Sequence, residues 1–299
     1  MLKNVTRVLV LGIVLTLSAC SGVSQEDYDA LTDQVADLEI EVNTLEGEKA
    51  ELQNELNGQM VGYVDQSVEA YGFTHGGYVG QVTIVVTDGV LDVEINEAFL
   101  PHTLAAVSLD DAEWDETNTL TIGTSSYALY IMYNDTLYKA LETEAGLLVY
   151  SEADETGAVL TGRWDVKNLE MHIIRNDANM KAYYDALENG GFKLMTSFDD
   201  ASPMAVTSGQ FKDGNPDYWQ AGGGRLGWQA NIDALEAFLE EYGAAFDTLA
   251  FTQVDTTVDG VEDTYWQVAD TVAGATNSDF PDYFQLAQAA FGQLVTEVQ

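Results

Sequence analysis

The chain has a single cysteine among 299 residues, at position 20. One thiol at the edge of a sequence offers no disulfide, no iron–sulfur cluster and no catalytic cysteine further on, so stability must come from the core. Basic residues are also scarce, with 11 Lys and Arg against 50 Asp and Glu and a formal net charge of −39. Nucleic acid is excluded as a partner, because binding it needs clustered cations that displace counterions. The same charge repels anionic lipid headgroups and free phosphate ligands. Missing too are a zinc-protease helix motif, a nucleophile elbow and a Walker loop. His75, His102 and His172 stand far apart with no second histidine at helical ligand spacing, and His172 in "EMHIIR" is expected in a strand. What remains is globular in composition, 46% hydrophobic and 10% aromatic, rather than a disordered acid.

Residues 1–19 read as a secretory signal. Lys3 and Arg7 precede an apolar run from Val8 to Leu17, then Ser18, Ala19 and Cys20. The run is shorter than the roughly 20 apolar residues of a membrane span. "LSAC" resembles the bacterial lipobox, which implies cleavage before Cys20 and lipidation of its sulfur. Acyl chains at about 0.8 kcal/mol per buried CH₂ would hold the protein on the extracytoplasmic face of a membrane without crossing it. Loss of the signal leaves nine basic against fifty acidic residues, a net charge of −41.

Residues 20–57 carry the lipidated cysteine and a spacer. Tyr28, Leu31, Val35, Leu38, Val42, Leu45, Lys49, Leu52 and Leu56 alternate at spacings of three and four, a heptad seam with Leu at every d position. β-Branched residues and one Lys at a favour a parallel two-stranded coil, hence a homodimer, with a lone helix packed back on the globular domain as the competing arrangement. At about 1.5 Å per residue the helix reaches roughly 50 Å.

Residues 58–299 form the globular part. "GQVTIVVTDGVLDVEIN" predicts a hairpin turning at Asp88-Gly89, and "YALYIMYNDTLYKALE" a second at Asn134-Asp135. "GLLVYSE", "GAVLTGRWDV" and "EMHIIR" supply further strands. Helices are expected from Asp177 to Leu187, from Asn231 to Tyr242 with Ile232, Leu235, Phe238 and Leu239 on one face, and from about Ser278 toward Val298. Residues 199–226 read as a long loop. The class is α+β with antiparallel hairpins and packed helices. "DTTVDGVED" from Asp255 fails as a calcium loop, with Thr257 in the third place and Trp266 where the bidentate Glu belongs. The acidic "SLDDAEWDE" reads as a solvated surface.

One stretch stands apart. In "DTVAGATNSDFPDYF", residues 270–284, a bare run of small residues carries Thr276 just ahead of a helix start. It is similar to the flavinylation motif of the FMN-binding domain family, found in FMN-bearing subunits of sodium-pumping NADH:quinone oxidoreductases and in surface lipoproteins of extracellular electron transfer. Asp270, Ala273, Gly274, Ala275 and Thr276 occupy the motif's places, with Ala273 where Ser or Thr is commoner. The resemblance covers about residues 71–100 and 226–299 and leaves 101–225 as an insertion. It implies FMN joined to Thr276 through a phosphoester by a separate flavin transferase. Gly274 and Ala275 would then leave room for that enzyme, and a helix N-terminus would favour the phosphate. Thr276 is expected in an exposed loop, with Trp228, Tyr265 and Trp266 as stacking partners or core aromatics. The implied role is an electron carrier fed by a membrane quinol or dehydrogenase, rather than a substrate-transforming enzyme. The alternative from the residues alone is a ligand-binding or structural cell-envelope lipoprotein without cofactor.

Overall fold

The computed structural model describes residues 34, 35, 38, 62–160, 168–206, 209–213, 218–221, 226–247, 250–269 and 271–296. Cys20, nearly all of the heptad seam and Asp270 lie outside the described residues. Gln34, Val35 and Leu38 are helical. The chain divides into two compact units, Met1–Gln59 and Met60–Gln299, and the second is the body described here.

In chain order the body runs β1 (Gln66–Thr74), β2 (Tyr78–Thr87), β3 (Val90–Phe99), α1 (Pro101–Leu104), β4 (Ala106–Val107), β5 (Thr119–Ile122), β6 (Ser125–Ala128) and β7 (Tyr130–Tyr133). It continues with β8 (Thr136–Glu142), β9 (Leu148–Glu152), α2 (Leu169–Ile173), α3 (Asp177–Glu188), β10 (Phe192–Met195) and β11 (Met204–Ala205). The last part is α4 (Trp228–Tyr242), β12 (Phe251–Val258), β13 (Val261–Val268), β14 (Thr271–Val272) and α5 (Phe280–Phe291). The strands pair antiparallel in four sheets, ordered β1-β2-β3, β11-β10-β7-β8-β9, β12-β13-β14 and β4-β6-β5. The body is therefore α+β.

Among the described residues, three hairpins close on two-residue turns with positive φ at both positions: Asp88-Gly89 (52° and 76°), Asn134-Asp135 (45° and 61°) and Asp259-Gly260 (48° and 87°). Such pairs match the right-handed twist of the flanking strands, which is why Asn, Asp and Gly hold these places. The third hairpin, β12–β13, occupies the stretch weighed above as a calcium loop.

The sheet β1-β2-β3 contributes to two hydrophobic cores. Alternate residues Val82, Ile84 and Val86 of β2, with Val93 and Ile95 of β3, pack against Ile232, Leu235, Phe238 and Leu239 of α4 and Phe280, Phe284 and Ala287 of α5. Val79, Ala98 and Phe99 belong instead to a core with Tyr183 and Leu187 of α3 and Ile131 and Tyr138 of the five-stranded sheet. Helix α5 lies close to the strands because Gly80 has no side chain. A Cβ there would stand 2.7 Å from Thr74 Cγ2 and 3.0 Å from Leu286 Cδ2.

The outer edge of β3 is covered. The Val93 and Ile95 N–H groups donate to Glu240 Oε1 at 3.1 Å and Glu236 Oε1 at 2.7 Å, two carboxylates one turn apart on α4. Further along, the Phe99 N–H donates to Gln210 O and the Lys212 N–H to Glu97 O, both at 2.9 Å. Edge groups satisfied in this way offer no template for a foreign strand.

Some expectations need correction. "EMHIIR" is helical through Ile173 rather than a strand, because Asn168 accepts the Met171 N–H at 2.9 Å as an N-cap and Leu169 and Ile173, four apart, are both buried. The final helix stops at Phe291 rather than running toward Val298. The stretch expected as one long loop carries β11 and the Phe211 bridge to Ala98.

Candidate functional site

Thr276 lies between β14 and α5, in a loop pinned from both sides by Trp266 of β13. The Ala273 N–H donates to Trp266 O and the Trp266 N–H to Ala275 O, both at 2.8 Å. The Trp266 indole N–H reaches Asn277 O at 2.6 Å, and its ring stacks on Phe280 at 5.4 Å between centroids and 11° between planes. Between these ties the chain turns at Gly274 with φ +76°, a conformation that costs glycine nothing. Among the described residues, a Cβ at Gly274 would meet only Ala234 Cβ, at 3.4 Å. Ala275 is fully buried, so its small size serves packing and not the approach of another protein.

Thr276 is half-buried rather than fully exposed. Its N–H and its hydroxyl both point at Asn231 Oδ1, at 2.6 Å and 3.1 Å, and the Asn277 N–H joins them at 3.2 Å. Asn231, on the first turn of α4, is completely buried, and its Nδ2 donates to Gly227 O at 2.9 Å. Asn277 is itself buried, and its Oδ1 has no hydrogen-bond partner among the described residues. Of the three aromatics weighed as stacking partners, Trp228 and Tyr265 are buried in the core and Trp266 is half-buried against Phe280.

A second polar cluster sits at the same ends of α4 and α5. Glu97 of β3 is fully buried and both its oxygens are engaged. Oε1 takes the Thr74 hydroxyl and lies 3.0 Å from His75 Nε2, while Oε2 takes the Tyr283 hydroxyl at 2.6 Å and the Lys212 ammonium at 2.5 Å. The Trp228 indole N–H donates to the Tyr283 hydroxyl at 3.2 Å. Lys212 is enclosed by aromatic faces, its Nζ 3.5 Å from the centroid of Tyr78, 4.5 Å from Tyr218 and 5.8 Å from Trp228. Burial pushes its pKa below the usual lysine value, opposed by the Glu97 carboxylate. Burial, and then the charge of Glu97, push the Tyr283 hydroxyl far up. With the Thr74 and Tyr283 hydroxyls and the Lys212 ammonium all donating to it and His75 Nε2 close by, Glu97 has little capacity left for a substrate proton. The cluster clamps the β1–β2 turn, β3, the 210–212 segment and α5 together.

No protein-family model, curated protein or solved structure matches the chain. The site is therefore read from its own geometry.

Of the motif residues, Gly274, Ala275 and Thr276 form one turn, whereas Asp270 and the lipidation candidate Cys20 lie outside the described residues. Among the described residues no group of three or more His, Cys, Asp and Glu is placed to hold a metal ion. None of their helices is long and apolar enough to cross a membrane. His102 is not isolated either, since its Nδ1 lies 2.9 Å from Glu170 Oε1, which raises its pKa. Asn231, Glu97 and Lys212 belong to no motif in the sequence. Only the buried, lipophilic face of α4 signalled the first, as an Asn at the same helical phase as Leu235.

Proposed function

We propose that this protein is a membrane-anchored surface flavoprotein that carries electrons through FMN covalently attached to Thr276. The observation that supports this reading best is the hydroxyl of the half-buried Thr276, held 3.1 Å from Asn231 Oδ1 after a Gly-Ala turn and separated from α5 by three residues. Two local features fit the group. Among the described residues, a Cβ at Gly274 would meet Ala234 alone, and Asn277 Oδ1 is a buried acceptor without a donor, which a hydroxyl of the ribityl chain would satisfy if it reached that atom.

Bound FMN would supply one- and two-electron redox chemistry. The chain's own part is attachment, orientation and charge. Free FMN, a dianion at its phosphate, is repelled by a chain of net charge −39, and an ester bond retains it regardless. Electrons would come from a membrane quinol or dehydrogenase and leave outward, with Cys20 as the lipid anchor and the heptad seam as a spacer.

The test is mass. The protein incubated with FAD, Mg²⁺ and a flavin transferase should gain one FMN less one water on the peptide containing Thr276. An unmodified peptide, in a reaction that labels a control substrate, refutes the proposal.

A further inference from the structure

We infer that Asn231 is the positioning residue for the acceptor hydroxyl, and that loading Thr276 removes one of the three hydrogen bonds Asn231 accepts there. This rests on the flavin reading above. Backbone N–H groups only donate, so the Asn231 atom facing Thr276 N at 2.6 Å and Asn277 N at 3.2 Å must be the amide oxygen. Its nitrogen faces Gly227 O at 2.9 Å, which only accepts. The amide orientation is thereby fixed at both ends, inside a site with no solvent exposure.

That orientation decides how the hydroxyl points. Asn231 Oδ1 has no proton to give, so Thr276 Oγ1, 3.1 Å away, is the donor of the third bond. Its proton is directed at Asn231, which leaves the oxygen lone pairs free for an incoming phosphorus. The Cβ methyl narrows the χ1 choices further. An amide oxygen is too weak a base to accept that proton in full, so Asn231 orients the nucleophile and the transferase must supply the base.

In the transfer step Oγ1 forms a bond to the riboflavin-bearing phosphorus of FAD. The bond from that phosphorus to the bridging oxygen breaks, AMP leaves with the electron pair, and the hydroxyl proton leaves Asn231 Oδ1 as the Oγ1–H bond turns away, passing to a base on the transferase. No oxidation state changes. Afterwards Oγ1 is an ester oxygen without a proton. Held against Asn231 Oδ1 it would oppose one acceptor to another, so the Thr276 side chain rotates away. The two N–H bonds do not involve the hydroxyl, and they keep the loop in place.

The experiment uses the full chain with FAD, Mg²⁺ and a flavin transferase, beside an independent control substrate. Asn231→Ala loses the acceptor, and Asn231→Asp keeps it when the carboxyl oxygen facing Gly227 O carries the proton that replaces the amide donor. With folding verified by circular dichroism, Asn231→Ala should lower the labelling kcat by about tenfold to a hundredfold while KM for the protein stays within about threefold. Asn231→Asp should recover most of that rate. A folded Asn231→Ala variant labelled at the wild-type kcat overturns the positioning role. The second measurement needs no variant. Three-bond couplings should report a new Thr276 χ1 rotamer after loading, with Asn277 N–H exchange still protected, and an unchanged rotamer overturns the lost hydrogen bond. Wild-type protein that stays unlabelled while the control is labelled overturns this inference and the flavin reading together.

Discussion

The Tyr283 hydroxyl donates to Glu97 Oε2 at 2.6 Å across 186 positions of sequence, tying the first turn of α5 to β3 in a fully buried site. Lys212 shares that oxygen, so the three groups form one charged unit away from water. Removing a single partner from such a unit leaves an uncompensated charge, which costs more than the pair itself contributes. Glu97→Gln is therefore expected to destabilise the body by about 3–5 kcal/mol. Glu97→Gln combined with Lys212→Met removes both charges and should regain most of that loss. Denaturant titrations of the two variants check this, and a double variant no more stable than the single one would sink it.

Glu236 makes the pH dependence of stability testable on one residue. Burial raises its pKa from 4.5 to about 7, against the lowering effect of the Ile95 N–H that its carboxylate accepts. Between those two values the folded chain holds a proton that the unfolded chain releases. Stability therefore falls as pH rises through this window, and the penalty is complete above about 7. Glu236→Gln keeps an acceptor for Ile95 and carries no charge. It should exceed the wild type at pH 8 by on the order of 1 kcal/mol, a figure reduced because the side chain is partly solvated. The advantage should vanish at pH 4.5 and below. Urea titrations at both pH values measure it, and an equal gap at both would contradict the assignment.

How far the sequence alone reaches depends on the range of the interaction. Asp88-Gly89 and Asn134-Asp135 were legible because a turn with two positive φ angles is written in adjacent residues. Asp259-Gly260 carries the same signal, but its flanking strands are threonine-rich and half-exposed, which weakened the hydrophobic alternation. The α4 face was legible from its period, whereas "EMHIIR" misled because six residues with an apolar core do not separate a short helix from a strand. At the site, Gly274, Ala275 and Thr276 are contiguous and could be found as a motif. Asn231 is 45 positions from Thr276, and Glu97 is joined to Lys212 and Tyr283 only through the fold. Long-range polar pairing leaves no periodic trace in a single sequence.

The heptad seam predicts self-association independently of any cofactor. Leu at every d position from Leu31 to Leu52, with Val35 and Val42 at a, favours two parallel strands. Residues 20–299 should therefore sediment as a dimer at concentrations where residues 58–299 are monomeric. Equal monomeric behaviour of the two at matched salt would mean that the segment acts as a single-chain stalk.

The acceptor hydroxyl is best separated from its surroundings by two substitutions at Thr276. Thr276→Ser keeps an oxygen on Cβ and the donor to Asn231, so it should still accept FMN, more slowly because the missing methyl frees χ1. Thr276→Val keeps the shape and loses the oxygen. Since the threonine is half-buried and hydrogen-bonded rather than free in solvent, Val should cost about 0.5–1.5 kcal/mol, the worth of one neutral hydrogen bond. It should cost no more, because Asn231 Oδ1 still accepts the Thr276 and Asn277 N–H groups. Flavin that survives denaturation in the Ser variant and is absent from a folded Val variant is the expected pattern. Covalent flavin persisting in Val would place the attachment on another residue, because no phosphoester forms on a side chain without oxygen.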